Sequence, residues 1–254
     1  MTQRLTDKIV VVTGSAQGIG AAYARRLYAD GATVVLADLK QEAVEATAAA
    51  LTESGPGTAT ALPLDVSDRA SCQALADQLT AAYGKVDGVV NNAAIFSTIE
   101  MKPFWEITDA DWDQLMAVNL RGPWLLISTL LPLLRAATSA SVVNIGSDAV
   151  LMGRPGYLHY VASKGGVHGM TYSMAKELGE FGIRVNTLSP GPVYTEIDRG
   201  TVTPQQREAM LAAQDLHRPA GPDDMTGTAS FLLSDDAAYL TGQTISVNGG
   251  LIHR

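Results

Sequence analysis

Ile9-Val10-Val11-Val12-Thr13-Gly14-Ser15-Ala16-Gln17-Gly18-Ile19-Gly20 is the stretch from which the fold can be read. Its first half is a continuous β-branched run, which suits a strand covered on both faces better than one with a wet side. Its second half places three glycines where a strand must turn into a helix. Glycine there permits a tight corner and lets backbone amides approach a pyrophosphate, while the helix N-terminus adds partial positive charge. The same glycines would also serve a corner used for packing alone, so their meaning depends on what surrounds them. Strand-like runs recur at Thr33 to Ala37, Ala59 to Val66, Val86 to Asn91, Ser141 to Ile145, Ile183 to Leu188 and Thr244 to Val247. Helical patterns separate them, at Gly20 to Asp30, Gln41 to Glu53, Arg69 to Tyr83, Asp111 to Ala136, Tyr157 to Phe181 and Asp223 to Leu233. Strands alternating with helices of this length predict βαβ units with right-handed crossovers.

The expected class is therefore α/β: one Rossmann-type domain over 1–254, with a doubly wound, seven-stranded parallel sheet and helices on both faces. The segment from Ser189 to Pro222 is the one long region without a strand, and it carries five prolines around a short helical piece at Gln205 to Gln214. A loop this long inside a compact domain is expected to be a substrate lid, here about 189–222. Lys and Arg total 18 against 26 Asp and Glu, and the net charge of -8 disfavours nucleic acid and anionic membrane as partners. The apolar stretch Trp124 to Leu134 is about half the ~20 residues a bilayer span needs, and reads as a buried helix. Cys72 has no cysteine to pair with, and Met1 to Lys8 has no basic segment followed by an apolar run; a cytoplasmic location is expected. His159, His168, His217 and His253 show no metal-ligand spacing, so no metal is expected.

The second strand ends in Asp38, where a carboxylate can accept from both adenosine ribose hydroxyls and would repel a 2′-phosphate. Only Lys40 is placed to offer charge to such a phosphate, so NAD is expected over NADP. The third run ends in Asp65-Val66; Asp65 could face the adenine amine or cap the helix that starts near Asp68. Asn91-Asn92-Ala93-Ala94 follows the fourth, with small residues that let the chain pass a ribose and Asn side chains able to pin strand ends.

Tyr160 and Lys164, spaced i, i+4, share one face of a predicted helix. Phenol ionises near pH 10, too high for a base at neutral pH, and a neighbouring ammonium would favour the phenolate. Ser147 lies just past the fifth strand, at the same sheet edge as the glycine corner, where its hydroxyl can donate to an oxygen that gains charge. Asn119, followed by Gly122 and Pro123, is a local misfit inside Asp111 to Ala136, tolerable if it serves a distorted turn or an ordered water.

Taken together, Thr13 to Gly20, Asp65, Asn91-Asn92-Ala93, Asn119, Ser147, Tyr160, Lys164 and Pro190-Gly191-Pro192-Val193-Tyr194-Thr195 resemble the short-chain dehydrogenase/reductase family over nearly the whole chain. The resemblance implies that Tyr160 is the general acid/base, Ser147 polarises the substrate oxygen, Lys164 lowers the tyrosine pKa, and Asn119 supports a water relay. The cofactor contacts it implies are Gly14, Ser15, Gln17, Gly18, Ile19, Asp38, Leu39, Asp65, Val66, Asn92, Ala93, Ala94, Tyr160, Lys164, Pro190, Gly191, Val193 and Thr195. It also implies a homotetramer. Ala94 and Asn248 depart from the glycine and aspartate common at those places. The chain ends, Thr2-Gln3-Arg4-Leu5 and Gly249 to Arg254, look similar to bacterial 1-phenylethanol-type secondary alcohol dehydrogenases.

Candidate pocket residues are Ile95, Phe96, Ser97, Asp148, Val150, Met152, Tyr157, Tyr194 and the lid from Glu196 to Leu216, with no cluster of Arg or Lys expected at the rim. An NAD(H)-dependent oxidoreductase acting on a hydrophobic secondary alcohol or its ketone is the expected function. A 3-oxoacyl-carrier-protein reductase and a non-catalytic NAD-binding scaffold or redox sensor are the alternatives.

Overall fold

The computed structural model describes residues 3–197 and 203–253. Seven parallel strands form one sheet in the order β3-β2-β1-β4-β5-β6-β7: β1 Ile9–Thr13, β2 Thr33–Asp38, β3 Ala59–Pro63, β4 Gly88–Asn91, β5 Ser141–Ile145, β6 Arg184–Pro190 and β7 Thr244–Val247. β1 alternates strictly between two cores. Ile9 and Val11 pack with α3 (Arg69–Ala82), α5 (Gly122–Ala136) and α7 (Leu158–Leu178), while Val10 and Val12 pack with α1 (Gly18–Ala29), α2 (Gln41–Ser54) and α9 (Asp223–Leu233). Burial on both sides is why the strand reads as an unbroken apolar run.

Strand order reverses at β1, which pairs with β2 on one side and β4 on the other. The carboxyl ends flanking that switch leave a crevice for a ligand. Four strands differ from the expected bounds: β2 runs one residue further, to Asp38, β4 starts two residues later, at Gly88, and β3 and β6 end elsewhere. β3 stops at Pro63, which has no amide to offer a neighbour; β6 runs two residues further, with Pro190 paired to Val247.

The long helix expected from Asp111 to Ala136 is interrupted: α4 (Asp109–Met116) and α5 are joined by a π-helical turn, Ala117–Arg121, which contains Asn119. As a continuous run, Asp109–Ala136 is long and apolar enough to cross a membrane, yet Leu125, Leu126, Leu130 and Leu134 are buried on the sheet. A four-residue helix, α6 (Ala149–Met152), precedes α7 and ends at Gly153 with φ 58. The lid helix α8 (Pro204–Ala212) starts with a capping box between Thr203 and Gln206. The expected lid also includes 198–202, and the chain-end resemblance includes Thr2 and Arg254; these lie outside the described residues.

Candidate active site

A cavity of about 1150 Å³ runs along the carboxyl edge of the sheet. At one end it is floored by the glycine corner. Gly14 and Gly18 have φ of +65 and +59, and a Cβ on Gly20 would lie 2.0 Å from the Gly14 carbonyl oxygen. Each therefore has to be glycine for a conformational or a packing reason. Gln17, the residue before α1, makes no side-chain cap, so the helix leaves amides open to an anion. One is taken: Gly18 N donates to Glu196 Oε1 at 2.7 Å, a bond that holds the carboxyl of Glu196 below its ordinary range.

Asp38 borders the cavity at the end of β2, where Oδ2 accepts from Ala16 N and Oδ1 from Lys40 N, both at 2.9 Å. Lys40 Nζ donates to Gln17 Oε1 at 2.8 Å. Of the two uses open to Asp65, the helix cap falls to Asp68, which accepts from Ala70 N and Ser71 N. Asp65 instead lines the cavity, with Oδ1 accepting from Ser67 N and Oγ.

The Asn pair pins strands. Asn92 Nδ2 donates to the carbonyls of Thr13 and Gly14 at 3.0 Å each, and Asn91 donates to Asn144, which donates to Thr171. Gly14, Gln17, Gly18, Ile19, Leu39, Val66, Asn92, Ala93, Ala94, Pro190, Gly191, Val193 and Thr195 all border the cavity. Ser15 does not: it is buried beneath the corner and its hydroxyl has no partner among the described residues.

The other end of the cavity lies where β5 meets α7. Tyr160 and Lys164 both face the cavity and are nearly buried. Lys164 Nζ donates to the Ile145 carbonyl at 2.7 Å and sits 5.9 Å from the centre of the Tyr160 ring. Burial pushes its pKa down to about 8. Ser147 Oγ accepts from Ala149 N at 3.2 Å, which leaves its hydroxyl proton for the cavity.

Asn119 faces elsewhere. Its Oδ1 accepts from Ile95 N at 2.8 Å, and its Nδ2 donates to Ile95 O at 3.0 Å and to Ser163 Oγ at 3.5 Å. Ser163 Oγ in turn donates to the Tyr160 carbonyl at 2.8 Å. The π turn thus aims an amide that ties the Ile95 segment to the turn of α7 that carries Tyr160.

Ile95, Phe96, Ser97, Met152, Tyr157 and Tyr194 form the remaining walls. Asp148 and Val150 do not reach the cavity. Asp148 is fully buried and gathers three strand ends, accepting from Ser189 Oγ at 2.6 Å, Ser246 Oγ at 2.9 Å and Asn248 Nδ2 at 2.6 Å. Val150 sits in α6 with a side-chain methyl beside Gly165.

The rim is expected to lack a cluster of Arg or Lys; two arginines are nonetheless present, each stacked on its own tyrosine. Arg154 and Arg207 both line the cavity, with guanidinium carbons 4.7 Å and 4.1 Å from the ring centres of Tyr157 and Tyr194. Arg154 had one sequence signal, a position in the loop three residues ahead of Tyr157. Among the described residues of the lid from Glu196 to Leu216, Glu196, Ile197, Arg207 and Met210 reach the cavity.

A family profile described as enoyl-(acyl carrier protein) reductase matches residues 14–252. The chain is 34% identical to levodione reductase of Leifsonia aquatica, an alignment covering 98% of this chain and 96% of that protein. The chain belongs to the short-chain dehydrogenase/reductase family. It is 34% identical to a 3-oxoacyl-[acyl-carrier-protein] reductase of Thermotoga maritima, over 98% of this chain and 99% of that one. A crystal structure described as a putative short-chain alcohol dehydrogenase from Sinorhizobium meliloti superposes with a TM-score of 0.91 at 31% identity, covering 99% and 98% of the two chains. Members of this family are oxidoreductases that bind nicotinamide dinucleotides. The residues present fit such a group: the glycine cradle admits no Cβ at Gly20, and a carboxylate already occupies an amide of the kind a pyrophosphate would use.

Proposed function

We propose that the chain is an NAD(H)-dependent oxidoreductase that interconverts a secondary alcohol and its ketone on a hydrophobic, aromatic or alicyclic body. The observation that carries this is the convergence of Ser147, Tyr160 and Lys164 on the cavity floored by the glycine corner. A bound nicotinamide dinucleotide contributes hydride transfer. Gly14, Gly18 and Ile19 would hold its pyrophosphate, Asp38 its adenosine ribose, and Pro190 to Thr195 its nicotinamide. In ketone reduction the Tyr160 hydroxyl gives its proton to the substrate oxygen, and in oxidation the phenolate takes it back. Ser147 donates a hydrogen bond to the same oxygen as charge gathers there. Lys164, one turn along α7, favours the phenolate by its charge.

Asp38 at the end of β2 supports NAD over NADP, and kinetics with both cofactors test it: equal or higher kcat/KM with NADP overturns the assignment. A 3-oxoacyl-carrier-protein reductase is the second reading, favoured by the Thermotoga relative and opposed by Asp38 and the acidic surface. A non-catalytic scaffold would leave the Ser147, Tyr160 and Lys164 set without a use. We further propose a cytoplasmic homotetramer; sedimentation of the purified chain checks the assembly.

A further inference from the structure

We infer that Arg154 closes the substrate pocket with a carboxylate-binding guanidinium, so that the preferred ketone or alcohol carries an acidic group on the far side of its apolar body. This rests on the oxidoreductase reading above and names its substrate class. Three rings and one guanidinium form a continuous wall from the reacting tyrosine outward. Phe96 lies 4.7 Å from Tyr160 and 6.0 Å from Tyr157, centre to centre, and Tyr157 lies 6.4 Å from Tyr160. Arg154 sits over the outer ring with its central carbon 4.7 Å from the Tyr157 centroid, and all four side chains line the one cavity. A substrate whose oxygen meets the Tyr160 hydroxyl and whose flat body follows this wall reaches Arg154 after about one ring.

The loop is shaped to place it there. Gly153 and Gly156 both take positive φ, 58 and 78, on either side of Arg154-Pro155, so the chain doubles back between α6 and α7. Stacking occupies only the face of the guanidinium; its in-plane N–H donors are the ones that grip a carboxylate in a fork. Among the described residues, the Arg154 guanidinium makes no hydrogen bond or ion pair, although the side chain is half-buried. Arg184, also withdrawn from water, gives its donors to the carbonyls of Leu232, Leu240 and Ser234. The carboxylates that line the cavity among the described residues are Asp38, Asp65 and Glu196, at its nucleotide end, where Asp38 is held by Ala16 N and Lys40 N, Asp65 by Ser67 and Glu196 by Gly18 N. At the substrate end, Arg207 over Tyr194 adds a second cation and no acid lines the wall among the described residues. In a chain of net charge -8, that end of the cavity is locally positive.

The test uses a matched pair of ketones, acetophenone and 4-acetylbenzoate, offered with NADH to the full-length enzyme. We expect kcat/KM for the acid to exceed that for the neutral ketone by about tenfold or more, the scale of a charge-assisted fork. Arg154→Gln should bring the acid-to-neutral ratio close to one, and Arg154→Lys should keep part of the preference. Binding of the same two ketones to the enzyme–NADH complex, followed by calorimetry, reads the inference without turnover. Equal binding of the two ketones, or an acid preference that survives Arg154→Gln, overturns it. Selective binding of the acid without reduction of either ketone supports the Arg154 site and sinks the oxidoreductase reading instead.

Discussion

At the nucleotide end of the cavity the shape is made by backbone, and at the substrate end by side chains. Gly14, Gly18 and Gly20 turn the chain, Asn92 bolts the corner to β4, and Thr13 Oγ1 accepts from the amides of Asn92 and Ala93. A Cβ on Gly14 would fall 2.8 Å from the Ala93 Cα, so little here can change without moving two strands. The opposite end depends on Phe96, Tyr157, Arg154, Tyr194 and Arg207, most of them on loops or on α8, whose replacement would move no strand. One end is suited to holding a constant ligand, and the other to exchanging one substrate for another on an unchanged frame.

The largest expected effect lies where the two ends meet. Tyr160→Phe removes one oxygen from a packed ring and should lower kcat by about 10² to 10⁴-fold, the usual worth of a positioned proton donor. NADH binding, followed by fluorescence transfer from protein to cofactor, should persist; its loss together with activity would mean that the phenol serves the nucleotide and not the proton. Lys164 comes next. Its pKa of about 8 and its place 5.9 Å from the Tyr160 ring put a proton loss of the pair within the assayable range. Alcohol oxidation should therefore rise with pH and ketone reduction fall. Lys164→Met, which strips the cation from the phenol, should move the midpoint up by about 1 to 3 pH units. A flat profile with hydride transfer shown to limit the rate would contradict the assignment.

The same contrast divides what is legible in the sequence from what depends on packing. The strand runs, the glycine corner and the order of Ser147, Tyr160 and Lys164 carry a period, a spacing or a special backbone demand, and those are written in the chain. Asn119 was readable as a misfit, because Asn, Gly122 and Pro123 conflict with a straight helix, and the π turn is where that conflict went. The direction of its amide, toward Ile95 and away from the cavity, was not readable, since it depends on a segment 24 residues distant. Asp148 is expected in the pocket because it stands beside Ser147, but β6 and β7 cover it. Arg154 sits in an aperiodic turn, where only three-dimensional packing shows what it stacks on.

Asn248 offers a smaller effect with a sharper interpretation. Its side-chain amide donates to the buried Asp148 at 2.6 Å. Asn248→Asp would set two buried carboxylates against each other, which forces a proton onto one of them and costs about 3 kcal/mol. That group's folded pKa would stand above its unfolded value near 4, so the deficit should be smallest in acid and grow as pH rises toward neutrality. Adding Asp148→Ser should recover most of the loss. Urea denaturation of the two single variants and the double variant measures the coupling, and additive losses would show that the two residues do not answer to each other.

The mildest prediction concerns a side chain that crosses between the two ends. Glu196 follows Thr195 in the loop after β6, yet its carboxylate holds Gly18 N at the start of α1, where the corner would meet a pyrophosphate. A dinucleotide must displace it, so the contact competes with binding. Glu196→Gln keeps the shape but exchanges a charged acceptor for a neutral one, a difference of about 1 kcal/mol, and NAD⁺ should bind about fivefold more tightly in calorimetry. Because the Gly18 amide depresses the carboxyl pKa, the hold is complete above the ordinary glutamate value and is lost as pH falls through the lowered one. Wild-type affinity should then climb toward that of the variant in acid, while the variant changes little over the same window. Weaker binding by Glu196→Gln would reverse the sign of the contact: the carboxylate would then be helping the loop close on the cofactor, and the two ends of the cavity would be coupled by attraction where competition is expected.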